Sequence, residues 1–293
     1  MFQRKVKIHC PADWSHHRHG WNYVVNSLKE NLHNDLGVDF FTNGLYAKMI
    51  SSNEFYEKPW IGILHLTPSD PGMGHNLENN KAWHRSLEQC HGLYTLSNHG
   101  RKFLEKYVNC KVERLYYPGT PGGPQFDPMR YEANMNKKVY FVGHWLRRFE
   151  PFFELKTNHK KIAVRCSDTH IPSSIDTIQY LPPTDYDKIF TDNILFLSLL
   201  DSSTNTRVLE CIKSSTPIIV NRLPALEEYL GRDYPLFYQD LQEAENVIDD
   251  HHRIISGHEY LLRMDKSHLN IDRFLKDIAE SSIYRSLKIT KFL

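Results

Sequence analysis

The sequence predicts an α/β protein made of two Rossmann-like domains with parallel sheets, and three observations predict this class. Short apolar segments alternate with amphipathic ones, which is typical of βαβ units. Pro118–Pro128 contains four prolines and three glycines and reads as a linker, after which the same alternation starts again. The length of 293 residues fits two domains of ordinary size.

The elements of the first half follow from local patterns. Val24, Leu28 and Leu32 recur at helical spacing. Ser97 or Asn98 can cap a second helix. The predicted helices are Trp21–Leu32 and Gly100–Val108, and the predicted strands are Lys5–Cys10, Val38–Phe41, Trp60–Leu66, Leu93–Leu96 and Val112–Tyr117.

The second half repeats this alternation and ends on a helix, Ile271–Leu287, with no strand behind it. We expect an N-terminal domain over residues 1–125 and a C-terminal domain over 126–270. Residues 271–293 would form a helix that packs back on the N-terminal domain. The predicted strands are Lys138–Val142, Lys161–Arg165, Thr177–Leu181, Ile194–Leu199 and Pro217–Val220, and the helices between them include Asp185–Phe190, Thr206–Ser214 and Ala225–Leu230.

Composition excludes several classes of function. The 36 Lys and Arg balance 35 Asp and Glu, which argues against a nucleic-acid partner. No stretch approaches the ~20 apolar residues of a membrane span, and no signal peptide is evident, so we expect no integral membrane segment. Five scattered cysteines without a CxxC pair favour neither a disulfide framework nor structural zinc, and indicate a reducing, cytoplasmic location.

Three predicted loops could carry chemistry, because ligands of open α/β sheets bind beyond the carboxyl ends of the strands. In Gly143–Arg148, the glycine lets the backbone approach a ligand, and Arg147 and Arg148 suit a diphosphate. A solvated basic turn explains this segment equally well. In Tyr180–Pro183, the backbone could face a flat base, although ordinary turn chemistry is an equal explanation.

The remaining loop, Leu200–Glu210, runs from a strand through small polar residues into a helix start, which suits an anion. Glu210 lies one turn into this helix and could accept both hydroxyls of a ribose. A carboxylate favoured by the helix dipole, worth about 0.3–1 kcal/mol, is the simpler alternative.

The order of these blocks resembles the C-terminal half of a GT-B nucleotide-sugar glycosyltransferase of the GT4-like branch. The blocks are GHWLRR, YLPPTDYDKIF and ILFLSLLDSSTNTRVLECIKSSTPIIV, and the linker YYPGTPGGPQFDP is similar to the interdomain segment of that branch. The segment LPALEEYLGRDYPLFY is similar to one in poorly characterised viral and bacterial members. The resemblance implies two domains facing across a cleft and transfer of a sugar from a UDP- or GDP-linked donor to a glycan or other hydroxyl acceptor.

The resemblance also implies roles for the donor-binding residues. Gly143, His144, Arg147 and Arg148 would bind the diphosphate, and Tyr180 with Leu181 would hold the base. Phosphate and ribose would contact Ser202, Ser203, Asn205, Thr206 and Glu210.

One departure from the GT4-like pattern bears on the mechanism. That pattern has two glutamates separated by seven residues, but the position before Glu210 is Ser202, with Asp201 next to it. The donor-sugar contact of the first glutamate is therefore missing or moved, and inversion is slightly favoured.

Inversion needs a base for the acceptor hydroxyl, which GT-B folds take from the N-terminal domain. The candidates are Asp70 and Asp13, ionised at neutral pH, followed by His16 and His75.

Two metal patterns are rejected, so we expect a metal-independent reaction without a cofactor. Asp185 and Asp187 form a DxD, but residues two apart do not share a helix face. His16–His19 contains an arginine, and consecutive residues cannot all turn to one ion. Phosphate-loop and dinucleotide signatures are absent from the sequence. The competing function is a catalytically inactive glycan-binding or scaffold protein, because a fold does not imply an activity.

Overall fold

The computed structural model describes residues 6–9, 20–42, 53–65, 67, 69, 77–165 and 170–287. It divides into two compact units. The first comprises Met1–Thr120 together with Ser267–Leu293, and the second comprises Pro121–Lys266. Each unit holds a parallel sheet with helices, which confirms the predicted α/β class. No helix within the described ranges is both long and apolar enough to cross a membrane.

The first unit contains a five-stranded parallel sheet whose described strands lie side by side in chain order. The strands are β1 (Val6–His9), β2 (Val38–Phe41), β3 (Trp60–Ile63), β4 (Cys90–Thr95) and β5 (Val112–Arg114). The helices between them are α1 (Trp21–Leu32), α2 (Lys81–Leu87) and α3 (Asn98–Leu104).

Two tryptophans anchor one core of this unit. Trp60 on β3 and Trp83 on α2 are almost fully buried, and their ring centroids lie 6.2 Å apart in an edge-to-face arrangement. The indole N–H of Trp60 donates to the Ser86 carbonyl at 2.7 Å. Asn80 caps α2 by accepting from the Trp83 backbone N–H at 2.8 Å. The cap and the indole hydrogen bond therefore fix α2, a helix not predicted from the sequence, against β3.

The second unit contains a six-stranded parallel sheet in the order β11-β10-β9-β6-β7-β8. Counted from β6, this is the 3-2-1-4-5-6 order of Rossmann folds, and the direction of strand addition reverses between β6 and β9. The strands are β6 (Lys138–Val142), β7 (Lys160–Val164), β8 (Asp176–Ile178), β9 (Ile194–Leu197), β10 (Ile218–Asn221) and β11 (Phe237–Tyr238). The helices are α4 (Pro128–Ala133), α5 (Glu150–Glu154), α6 (Pro183–Asp192), α7 (Thr206–Ser214), α8 (Pro224–Leu230), α9 (Leu241–Ile248) and α10 (His251–Arg263).

A row of stacked aromatic rings supports this second sheet. Phe152 on α5 stacks on Phe141 of β6 at 5.1 Å between centroids and on Phe196 of β9 at 5.8 Å. Phe196 in turn stacks on Tyr238 of β11 at 5.4 Å. The two strands beside the reversal, β6 and β9, are therefore packed against the same aromatic cluster.

The C-terminal residues form two helices, α11 (Ile271–Glu280) and α12 (Ser282–Ser286), after a short 3₁₀ turn at Ser267–Leu269. The prediction of one continuous helix over Ile271–Leu287 is wrong. Ser281 interrupts it with extended backbone, φ −60° and ψ 149°, and its hydroxyl accepts the Tyr284 N–H at 3.0 Å. Serine caps a helix better than it continues one, because its hydroxyl competes for backbone hydrogen bonds.

Helix α12 packs against β4 and β5 of the first unit. The hydroxyls of Tyr94 and Ser281 are 2.6 Å apart and buried. Glu113 on β5 accepts the backbone N–H groups of Ser282 at 2.9 Å and Ile283 at 3.2 Å. The helix dipole favours a carboxylate at this position, the start of α12. The Ile283 side chain lies directly against Gly92 on β4.

Gly92→Ala is expected to destabilise the first unit by about 1–3 kcal/mol, because overpacking a tight contact forces side chains or backbone to shift. A Cβ at Gly92 would lie 2.6–2.9 Å from three carbons of Ile283. Urea unfolding of Gly92→Ala, Ile283→Ala and the double variant measures the coupling between the two sites. The double variant should cost less than the sum of the single losses, and simple additivity would contradict the steric explanation.

Candidate functional site

The candidate site lies at the strand-order reversal of the second sheet. The segments that follow β6 and β9 emerge there side by side, which is where open α/β sheets bind ligands. They are hydrogen-bonded to each other: the Arg148 N–H donates to the Ser198 carbonyl at 2.9 Å, and the Leu200 N–H donates to the Leu146 carbonyl at 3.0 Å. The structure thus brings together two of the three segments predicted from the sequence.

The first segment, residues 143–148, turns back sharply after β6. Gly143 has φ +93° and Leu146 has φ +52°, and the first of these favours glycine. Among the described residues, no protein acceptor faces the backbone N–H groups of His144, Trp145 and Leu146. Three adjacent donors of this kind are suited to an anion.

The two arginines of this segment differ in their placement. Arg147 folds back over its own loop, with its side chain 3.4 Å from the Val142 carbonyl and 3.2 Å from the Trp145 carbonyl. Arg148 is exposed, as is His144. One guanidinium therefore braces the turn beside Gly143, and the other is available to a ligand from solvent.

The second segment, residues 198–206, contains a short run of buried polar residues. Asp201, Ser202 and Ser203 are all buried, and the Asp201 carboxylate accepts the Ser202 N–H at 2.7 Å. In the part of the chain that the structure describes, the shielded hydroxyls of Ser202 and Thr204 have no hydrogen-bond partner. Buried polar groups are normally satisfied, so these hydroxyls are available to a bound polar ligand.

Asparagines fix both ends of this segment. Asn205 caps α7, its side-chain oxygen accepting the N–H groups of Arg207 at 3.0 Å and Val208 at 3.4 Å. At the other end, the Asn221 amide accepts the Leu199 N–H at 2.8 Å and donates to the Leu199 carbonyl at 2.9 Å. The segment is held between these two side chains, with Thr206 at the first position of the helix.

Glu210 lies one turn into α7 and is only 4 % exposed. Its Oε2 is 2.5 Å from a guanidinium nitrogen of Arg207 and accepts the Tyr186 hydroxyl at 2.8 Å. The Arg207 guanidinium also lies 5.3 Å from the centre of the Tyr186 ring. Sequence reasoning missed both partners. The (i, i+3) spacing on one helix could have indicated Arg207, but Tyr186 comes from α6 and depends on helix packing.

The third predicted segment, Tyr180–Pro183, follows β8 and leads into α6. The Tyr180 side chain is 65 % exposed. Arg165, which follows β7 with φ +55°, places its guanidinium 6.0 Å from the Tyr180 ring centre. Tyr180 and Leu181 therefore lie at the carboxyl edge of the same sheet. The chain continues from them into α6, whose Tyr186 is hydrogen-bonded to Glu210.

The aspartates of the DxD sequence lie at the start of α6. Asp185 is in the first turn and accepts the Lys188 ammonium at 2.7 Å. A carboxylate in a first helical turn is favoured by the helix dipole. The position of Asp185 therefore agrees with the interpretation of the DxD as part of a helix start and not as a metal site.

The four predicted catalytic residues, Asp13, His16, Asp70 and His75, lie outside the described residues and stay predictions. The first unit shows a different constellation at the end of β1. Asp39 is buried, and its two oxygens contact the His9 imidazole and accept the Tyr56 hydroxyl. Burial and the Asp39 carboxylate raise the pKa of Tyr56. No spacing signal links these residues, because they come from β1, β2 and the segment before β3.

The fold of the chain is that of the GT-B glycosyltransferases. The three solved structures described below share only 10–11 % sequence identity with the chain, and no protein-family model or curated protein sequence matches it.

HepE of Anabaena, solved in complex with UDP-glucose, aligns over 83 % of this chain and 77 % of its own at a TM-score of 0.63 and 10 % identity. Sucrose-phosphate synthase of Thermosynechococcus elongatus aligns over 85 % and 73 % at a TM-score of 0.60 and 11 % identity. The α,α-trehalose 6-phosphate synthase of Burkholderia multivorans aligns over 90 % and 76 % at a TM-score of 0.55 and 10 % identity. This likeness establishes the fold.

Proposed function

We propose that the chain is a glycosyltransferase that moves a sugar from a UDP- or GDP-linked donor to a hydroxyl group of a glycan or another acceptor. One observation carries the proposal: the anion-suited turn at residues 143–148 is hydrogen-bonded to the segment that leads into α7, and α7 holds the buried carboxylate of Glu210. A nucleoside diphosphate needs both features, cationic or N–H donors for its phosphates and an acceptor for its ribose hydroxyls.

The donor would lie across the carboxyl edge of the second sheet. Arg147, Arg148 and the N–H groups around Gly143 and His144 would stabilise the diphosphate. They would act most strongly as the diphosphate departs and its charge grows, without a metal ion or other cofactor. The hydroxyls and N–H groups of the second segment would bind phosphate, Glu210 would accept the ribose hydroxyls, and the base would face the backbone of Tyr180 and Leu181. The residues proposed for phosphate are Ser202, Ser203, Asn205 and Thr206.

The comparisons support this assignment at the level of fold. HepE was solved with UDP-glucose bound, and its chain overlaps most of this one. Two of the sequence blocks that resemble GT4-like donor sites contain the loops after β6 and β9, which lie together at the carboxyl edge of the second sheet.

For the chemical step we propose inversion. Ser202 stands where the GT4-like pattern has its first glutamate, and its hydroxyl cannot replace a carboxylate. In an inverting step, a base removes the acceptor proton while the acceptor oxygen attacks the anomeric carbon and the nucleoside diphosphate leaves. Asp70 is the first candidate for this base, followed by Asp13, His16 and His75.

The full-length protein, incubated with a panel of UDP- and GDP-sugars, should slowly release free nucleotide from one of them. UDP or GDP at 100 times its Kd should also stabilise the protein by about 2.7 kcal/mol in a thermal-shift assay. Asp70→Asn is expected to retain this stabilisation and lose the release, and EDTA should leave the release unchanged. Normal turnover in Asp70→Asn would assign the base to another of the four candidates. The absence of both stabilisation and release would refute the proposed activity.

The alternative is a glycan-binding protein that retains the fold without catalysis. The serine at position 202 favours it, because loss of the donor-sugar carboxylate is compatible with loss of activity. The same assay separates the two functions: such a protein would release nucleotide from none of the donors.

A further inference from the structure

The buried carboxylate of Glu210 needs a positively charged partner. A carboxylate that is 4 % exposed has lost most of its hydration, and such a charge is retained only when it is paired and hydrogen-bonded. The guanidinium of Arg207 supplies the positive charge at 2.5 Å and is itself buried. The Tyr186 hydroxyl supplies a further hydrogen bond at 2.8 Å.

The two donors reach the same oxygen, Oε2, from different elements. Arg207 lies on α7 with Glu210, whereas Tyr186 lies on α6. Because the guanidinium also contacts the Tyr186 ring at 5.3 Å, the two donors hold each other in place. Two bonds from separate helices fix both the position and the plane of the carboxylate. A carboxylate can accept about four hydrogen bonds, so it can bind further donors beside these two.

We propose that Arg207 and Tyr186 are positioning residues that hold the carboxylate of Glu210, the third member of this triad, in one orientation, so that it can accept both hydroxyls of the donor's ribose. The inference rests on the proposed function, because it assigns the triad to the sugar of a nucleoside diphosphate. Neighbouring hydroxyls of a ribose can both donate to one fixed carboxylate. A 2′-deoxyribose lacks one donor and leaves a buried acceptor unmet, and such a site discriminates strongly against the analogue.

The test is a titration calorimetry series with UDP and 2′-deoxy-UDP, repeated with GDP and 2′-deoxy-GDP. The wild-type protein should bind one ribonucleotide at least about 10-fold more tightly than its deoxy form, since one hydrogen bond to a charged group is lost. Tyr186→Phe should weaken the ribonucleotide about 5- to 10-fold and the deoxynucleotide less than about 2-fold. Tyr260→Phe on α10, which removes the hydroxyl of another half-buried tyrosine of the same unit, should change neither.

Arg207→Lys keeps the positive charge and should retain more of the ribose preference than Arg207→Met. A merely structural role of the triad would weaken both nucleotides by the same factor, because it would not sense the 2′-hydroxyl. If Tyr186→Phe weakened the ribonucleotide and the 2′-deoxynucleotide by the same factor, the inference would be overturned, although the protein would still bind nucleotides. If the wild-type protein bound neither UDP nor GDP, the proposed function would fail, and the inference with it.

Discussion

Arg207→Met is expected to destabilise the second unit by about 3–5 kcal/mol, the usual cost of removing one partner of a buried ion pair. The substitution leaves the Glu210 carboxylate buried with its positive partner gone, and the Tyr186 hydroxyl cannot supply the missing charge. Urea unfolding followed by circular dichroism measures the loss. Arg263→Met is the matched control, because Arg263 pairs with Glu259 on the exposed face of α10 and should contribute no more than about 1 kcal/mol.

The double variant Arg207→Met with Glu210→Met should recover most of this stability. Apolar side chains of similar volume often replace a buried ion pair without loss. The recovered protein should nevertheless bind UDP or GDP at least about 10-fold more weakly, since about 1.4 kcal/mol of binding corresponds to that factor. A single variant as stable as the wild type would show that the pair carries no buried charge. A double variant with normal nucleotide affinity would remove Glu210 from the site.

Replacing both Arg147 and Arg148 by alanine should lower the affinity for UDP or GDP by at least about 100-fold. Arg148 can make a charge-assisted bond to the diphosphate worth about 1.5–3 kcal/mol, and Arg147 braces the turn whose backbone N–H groups would bind the same phosphates. Uridine or guanosine, which lack phosphates, should bind the variant and the wild type alike. The comparison of nucleotide with nucleoside therefore separates the loss of phosphate contacts from damage to the rest of the site.

The control for this experiment carries the same change in net charge elsewhere on the second unit. Arg130 and Arg232 are exposed residues outside the two segments, and their replacement by alanine should leave affinity nearly unchanged at physiological salt. If the control pair lost as much affinity as the site pair, the overall charge of the unit would account for binding.

Much of the fold could be predicted from the sequence because its elements carry local signals. The helix Trp21–Leu32 and the strands Val38–Phe41 and Lys138–Val142 match their predicted ranges, since amphipathic spacing and apolar runs define them without long-range contacts. The break at Ser281 was missed, because an apolar pattern continues through a residue whose hydroxyl caps the next helix. The two-residue strand Phe237–Tyr238 is too short to show a period.

The candidate site was predictable as far as its parts lie next to strands. Gly143, Arg148 and Ser203 follow predicted strands, and the topological rule places them at one edge once the strand order is known. The partners of Glu210 were not predictable in the same way. Tyr186 meets the carboxylate only because α6 packs beside α7, and a single sequence carries no signal for that contact.

The return of α11 and α12 to the first unit has a consequence for biosynthesis. Ser281, between these helices, is hydrogen-bonded to Tyr94, and Glu113 accepts an N–H group at the start of α12. The ribosome nevertheless makes both helices only after the whole of the second unit. Domains usually fold in the order in which they emerge. The second unit can therefore complete its fold before the first, whose β4 and β5 lack their contacts with α12 until that helix is made.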